Sequence, residues 1–352
     1  MKRALSTFVS LVVLTASGAD AAQRSFVSAI GNDADACSVS SPCRSFGRAL
    51  SVTDAAGEIV VLDSGGYGSV VINKSISIVA PEGVYAGVTV TSGTGVSANP
   101  GVGGKVVLRG LTINGLGGTT GISVSGGAEI HIQRCTISNM SGTGISVSGA
   151  GAVHVSGSEI RSNAGTGIWV FGGAAQQIHV SDTRIVQNGS IGVVTTAESR
   201  IVLDHVDLSN NVNGGFSAQP STGTTVRLVM RDSTVAGNGG SAVSLAPTNA
   251  GTAAHGTIER SVFTGNSGVI GVNTQSIGTA SLVVDRCVVN DNQFAGIFAS
   301  GTNATIHVRD SVVTRNGEGL HQQTGAVLNS CGNNLIAFNA NSPGVTTVAC
   351  TQ

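Results

Sequence analysis

The chain has 352 residues, 51 of them glycine, with only 11% charged and 3% aromatic residues. A soluble domain is ordinarily about a quarter charged, so this surface has to be made of Ser, Thr, Asn and Gly. A hydrophobic content of 41% excludes disorder, six prolines exclude collagen, and a formal net charge of −1 with no basic cluster argues against a nucleic-acid partner.

In chain order, Lys2 and Arg3 precede an apolar run from Phe8 to Leu14, and the small residues Ala19, Ala21 and Ala22 close the segment. Basic start, short apolar run and small exit residues predict a cleaved secretory signal over residues 1–22. The run is too short to cross a bilayer, which takes about 20 apolar residues. The mature chain is therefore expected to be a soluble monomer of charge −2, in the periplasm or outside the cell. That compartment is oxidising, so the six cysteines invite pairing. Residues 23–57 are expected to be an N-terminal cap. Cys37 and Cys43 are close enough in sequence to bridge, and Phe46, Ala49, Leu50 and Val52 suggest a short amphipathic helix ending near Gly57.

From residue 121 the chain repeats one pattern. GISVSGGAEIHIQRCTISNMSGT is followed by GISVSGAGAVHVSGSEIRSNAGT and then by more divergent copies. Asn recurs at Asn163, Asn188, Asn211, Asn238, Asn266, Asn292, Asn316 and Asn339, with spacings of 25, 23, 27, 28, 26, 24 and 23. Inside each copy apolar and polar residues alternate with the period of strands. Pairs such as Ile130/Ile132 and Val153/Val155 form one inward set; Ile137, Ile160, Ile185 and Leu208 form a second; Ile145/Val147 and Ile168/Val170 form a third. Three short strands with one apolar face each cannot bury themselves alone, whereas stacked copies bury all three in one core. The predicted fold is all-β, a parallel β-helix of roughly twelve coils spanning residues 58–340. The Asn column fits a corner, because Asn tolerates the left-handed conformation and its amides can bond from coil to coil. Cys135 and Cys287 share one corner column with Ser158, Thr183, Val206, Ser233, Ser261 and Ser311. Six coils put them about 29 Å apart, too far to bridge. Cys331 and Cys350 bracket the tail, residues 341–352, and are expected to pair in a C-terminal cap.

The opening SFVSAIGNDADACSVSSPCRSFGRAL, the following GEIVVLDSGGYGSVVINKSISIVAPEG and the Asn-marked coils resemble secreted bacterial right-handed parallel β-helix proteins of the pectate-lyase-like superfamily. The resemblance implies right-handed coils, three sheets, an Asn corner between the second and third, and a substrate groove on the outer face of the first. On that face one column carries His131, His154, His179 and His307, and another carries Gln177, Arg200, Arg227, His255 and Ser281. The longest copies place extra residues near 219–225, 247–255 and 274–279, where they are expected to wall the groove. The corner that follows is charged, with Asp182, Asp204, His205, Arg231, Asp232, Glu259 and Arg260.

Two functions compete. A polysaccharide lyase or glycoside hydrolase would gather Ca²⁺ on Asp182, Asp204 and Asp232, with Arg227 or Arg231 as the basic group or as the partner of a uronate carboxylate. Asp204 and His205, in IVLDHVDLSNN, resemble a pectate-lyase strand and corner, which makes Asp204, His205 and Arg231 the catalytic candidates, and Asp182, Arg227, Asp232, Glu259 and Arg260 the ligand-binding ones. Alternatively, Asp204, Arg231 and Glu259 alternate in sign along the coils and simply neutralise one another. None of the paired Asp residues, His-Gly and Arg-Ile-Lys motifs of polygalacturonase-type relatives is expected here. The one tryptophan, Trp169, is expected to point outward from the third sheet, alone. Three histidines in a line along a rod suit tetrahedral Zn²⁺ poorly. The expected function is a secreted, non-catalytic scaffold presenting a polar face to polysaccharide or envelope glycan, with no cofactor; Ca²⁺ belongs only to the enzyme reading.

Overall fold

The computed structural model describes residues 22–341, apart from 150, 174 and 276, together with the strand Thr346–Val348. The expected signal segment and Cys350 lie outside the described residues. Each repeat forms one strand in each of three parallel sheets, as in Glu129–Gln133, Thr136–Ser138 and Thr143–Ser148. Among the described residues the sheets hold 14, 12 and 11 strands, giving eleven complete coils with partial coils at either end. The inward sets form the core: Ile130, Ile137, Ile145 and their counterparts on later coils are fully buried.

Strand β1 (Ala22–Val27) pairs in parallel with β2 (Thr53–Val61) and so begins the first sheet itself. Between them runs helix α1 (Phe46–Val52), which stops before Gly57 because Thr53 already has extended dihedrals and starts β2. Ser45 caps α1 by accepting from the Arg48 N–H. Asp33 accepts from the backbone N–H groups of Arg44 and Ser45 at 2.8 and 2.9 Å, tying the preceding loop to the helix start. That loop is closed by the Cys37–Cys43 disulfide. Phe46 packs against Tyr67, with ring centroids 5.2 Å apart. Cys331 is also disulfide-bonded. Cys135 and Cys287 are buried free thiols whose burial pushes both pKa values up to about 11.

Seven side-chain hydrogen bonds join the eight asparagines, the Nδ2 of each of the first seven donating to the Oδ1 one coil further on at 2.8–3.2 Å. Each Oδ1 also accepts a backbone N–H from the preceding coil, that of Met140 at Asn163 and that of the ladder asparagine thereafter, as Asn211 does from Asn188 at 3.1 Å. The second Nδ2 proton reaches back to a second-sheet carbonyl, as from Asn211 to Ile185. The left-handed residue of the corner is not the ladder asparagine, as expected, but the one before it: Ser162, Gln187, Asn210, Asp291 and Arg315 all have φ of 54–58°. The division of labour follows from geometry, because a turn residue points away from the core while a ladder amide has to lie within it. The other corner repeats the design. Asp182, His205, Asp232, Arg260, Arg286 and Asp310 have φ of 47–53°. The small column after them forms a second ladder, in which the Oγ atoms of Ser158, Ser233, Ser261 and Ser311 each accept an N–H from the neighbouring coil.

Candidate functional site

The first-sheet strands carry charge at both ends, and the structure keeps the two ends apart. Arg200 and Arg227 lie near the start of strands Ser199–Asp204 and Thr225–Arg231, whereas Asp204 and Arg231 end them. Four residues of extended chain span about 13 Å. Arg227 is therefore not a member of the corner group that contains Asp204, Arg231 and Asp232.

The corner row is a ladder of ion pairs. Arg231 Nη2 donates to Asp204 Oδ2 at 3.0 Å, and His205 Nδ1 contacts Asp204 Oδ1 at 3.0 Å. Arg260 grips both oxygens of Asp232 at 2.8 and 2.7 Å and reaches Glu259 at 3.2 Å. Asp285, only 1% exposed, lies between Arg286 and Arg309 at 2.9 and 3.0 Å. The strand register sets Asp204 beside Arg231 and Arg231 beside Glu259, as the alternation of sign predicts. Glu259 then adjoins Asp285, so Arg286 turns to that carboxylate. Asp182 is exposed and forms no ion pair among the described residues. Donor atoms of Asp204, His205 and Asp232 do converge within 4.8 Å. Ca²⁺ would have to displace two guanidinium groups to use them.

These pairs shift the acids downward. Burial raises the Asp204 pKa, but the Arg231 hydrogen bond and charge, with His205, outweigh it and lower it overall. Arg260 lowers Asp232, and Arg315 lowers Asp291. On the strand face, Lys105 and then His131 bring Glu129 down to about 2. A carboxyl whose folded pKa is depressed adds stability above its unfolded pKa of about 4 and loses it as pH falls toward the folded value. The melting temperature is therefore expected to decline modestly below about pH 6.5, where His154 and His255, whose pKa values folding lowers, protonate more readily unfolded, and to drop further between pH 4 and 2 as the paired carboxylates are lost. A constant melting temperature across pH 4 to 2 would show that the ladder adds nothing.

At the other strand end two clefts adjoin, of roughly 370 and 340 Å³, sharing Arg200 and Arg227 as their common wall. Gln177, Glu198 and Ser199 line the first; Val229, His255, Gly256, Thr257 and Ser281 line the second. Gln177, Arg200, Arg227, His255 and Ser281 stack in register on successive coils, as the sequence columns predict. The clefts are lined by strand residues and the short turn at Glu198 rather than by the long loops. Those loops stack on one another instead, with Asn249 Nδ2 donating to the Pro220 carbonyl at 3.4 Å.

The chemistry here differs from that of the corner. Arg200 has no ion pair among the described residues, and Arg227 has only Glu198, at 3.8 Å. Two cations thus stand on adjacent coils with a single distant carboxylate. His255 Nδ1 bonds Ser281 Oγ at 2.7 Å. Burial, and then the charge of Arg227, lower the His255 pKa and keep its ring neutral at pH 7. His255 and Gly256 form a His-Gly pair, which corrects the expectation that no such pair occurs in the chain. Glu198 escapes a sequence reading because it lies in a turn outside the periodic strand pattern; an acid two residues before Arg200 was the available signal. Trp169 points outward as expected, 39% exposed, but not alone: it stacks on Phe171 at 4.4 Å. Phe294, Phe298 and His321 form a second aromatic group.

Among the described residues no helix is long and apolar enough to cross a membrane. No curated protein is significantly similar to the chain in sequence. Among solved structures it is similar to pectate lyase Pel9A, at 17% identity over 92% of this chain and 79% of that one, with a TM-score of 0.48. The A-module of the Azotobacter vinelandii mannuronan C-5 epimerase AlgE4 aligns at 12% identity over 84% of this chain and 91% of the module, with a TM-score of 0.53. A GH136 lacto-N-biosidase from Eubacterium ramulus aligns at 11% identity over 93% and 67%, with a TM-score of 0.48. Residues 120–279 match the family described as right handed beta helix region. With three parallel sheets coiled around one core along the whole described chain, this is a right-handed parallel β-helix protein.

Proposed function

We propose that the chain is a secreted, monomeric glycan-binding scaffold whose first-sheet groove at Arg200 and Arg227 holds a polysaccharide bearing carboxylates. One observation carries this reading: stacked cations in an open groove with one carboxylate 3.8 Å from only one of them, on a surface whose other arginines are mostly paired at close range. A chain of uronate units, each presenting a planar acceptor that suits a guanidinium, would supply the missing negative charge. The corner carboxylates, engaged with arginine about 13 Å away, support binding without cleavage.

A second reading, a polysaccharide lyase or hydrolase, is favoured by the neutral His255 beside Arg227, since a proton acceptor next to a cation is the minimum such chemistry needs. Fold alone decides neither. Incubation with pectate, alginate, hyaluronan and neutral dextran, with and without Ca²⁺, separates them when binding is measured by calorimetry and products by mass spectrometry. Binding of the acidic polymers without products is expected. Cleavage that disappears in His255→Ala would overturn the scaffold reading and make the groove an active site.

A further inference from the structure

The register position occupied by His131, His154 and His179 on three successive coils is filled by Val107 on the coil before, and by Val202 and Val229 on the coils after. Three consecutive imidazoles thus interrupt a run of valines. Glu129 lies two residues before His131 on the same strand and so shares its outward face. Its Oε1 bonds His131 Nε2 at 2.9 Å, while Lys105 Nζ holds its other oxygen at 2.7 Å. The His131 and His154 rings stack with centroids 4.8 Å apart, and His179 meets His154 edge-on at 5.9 Å. His179 Nε2 is buried without a hydrogen-bond partner. Glu129 changes the geometry expected from the sequence, because its carboxylate enters from the side and turns a line of donors into a triangle. One donor atom each from Glu129, His131 and His154 lies within 4.8 Å of the others.

We propose that Glu129, His131 and His154 bind one borderline divalent transition-metal ion, of the class of Zn²⁺ and Cu²⁺. Two imidazoles and a carboxylate are a donor set such ions prefer. Donors bound at 2.0–2.1 Å in a tetrahedron stand about 3.4 Å apart, so closure needs the two partly buried rings to tip together by roughly an ångström, with solvent in the fourth position. The ion would bridge two coils and is independent of any glycan in the groove.

Equilibrium dialysis and calorimetry of the full chain with zinc chloride test this. One saturable Zn²⁺ per chain is expected, with affinity at least tenfold weaker in His154→Ala and in Glu129→Gln. His307→Ala, an exposed histidine further along the same column, should leave it unchanged, and circular dichroism should show all variants equally folded. With Cu²⁺ as a second probe, electron paramagnetic resonance should report two nitrogen ligands in the parent and one in His131→Ala. No saturable binding, or unchanged affinity in both His154→Ala and Glu129→Gln, would overturn the proposal.

Discussion

Replacing Asn211 with alanine will destabilise the protein by about 2–6 kcal/mol, the cost of leaving two buried backbone groups unpaired at about 1–3 kcal/mol each. Asn211 is fully buried and makes four side-chain hydrogen bonds. Two of its partners have other bonds to fall back on: Asn188 Nδ2 still donates to the Ile160 carbonyl, and Asn238 Oδ1 still accepts the N–H of residue 211. The Asn188 N–H and the Ile185 carbonyl lose the bonds that the Asn211 side chain gave them. Coils in such an array touch only their neighbours, so the damage should be local as well as global. Urea unfolding should give the loss of stability, and amide exchange at Asn188 should accelerate. Asn213→Ala, at an exposed position two residues away, should change stability by less than about 0.5 kcal/mol. Equal effects of the two substitutions would show that the ladder is not what holds the corner.

Removing both groove cations will abolish measurable binding of pectate or alginate, while either Arg200→Ala or Arg227→Ala alone weakens it about tenfold. A hydrogen bond to a charged group is worth about 1.5–3 kcal/mol, and one tenfold step is about 1.4 kcal/mol. Arg227 has a carboxylate within 4 Å and Arg200 does not, so Arg200→Ala should cost more. Binding should also fall as ionic strength rises, because the cleft is open to solvent and its charges are screened over about 8–10 Å. Arg231→Ala is the control: its guanidinium serves Asp204 at the other strand end and should leave polymer affinity unchanged. A binding loss in Arg231→Ala equal to that in the double variant would move the glycan from the groove to the corner.

The fold was legible because its signal is periodic. Ile130, Val153, Ile178 and Ile201 stack in the register that the repeat predicts, and the same arithmetic kept Cys135 from Cys287. What the repeat could not show was conformation within it. Asn163 and Ser162 are adjacent and both suit a turn, and nothing in their composition says that Ser162 takes the positive φ. Helix α1 was placed correctly but extended too far, since Thr53 and Ala55 suit a helix end and a strand start equally well. For the site, the Arg200–Arg227–His255 column followed from spacing alone. The pairing of Arg260 with Asp232 instead depends on how side chains leave left-handed corners, and the Glu129 triangle depends on the direction in which its carboxylate leaves the strand face. Neither leaves a mark in the order of residues.

The asparagine column has a direction, and the two ends of the rod are therefore chemically unlike. At one end Asn163 offers an oxygen, which takes the Met140 N–H; at the other, Asn339 offers amide protons, one of which turns back to the Val313 carbonyl. Removing coils from the C-terminal side would uncover donors, whereas removing them from the N-terminal side would uncover acceptors. Buried N–H groups tolerate solitude less well than carbonyl oxygens do, so the two truncations are not equivalent even at equal length. During synthesis the N-terminal coils emerge first, and their advancing face presents unspent protons; each new turn arrives carrying the oxygen that receives them. The column thus gives the growing rod a templating surface on the side where chain is still to come.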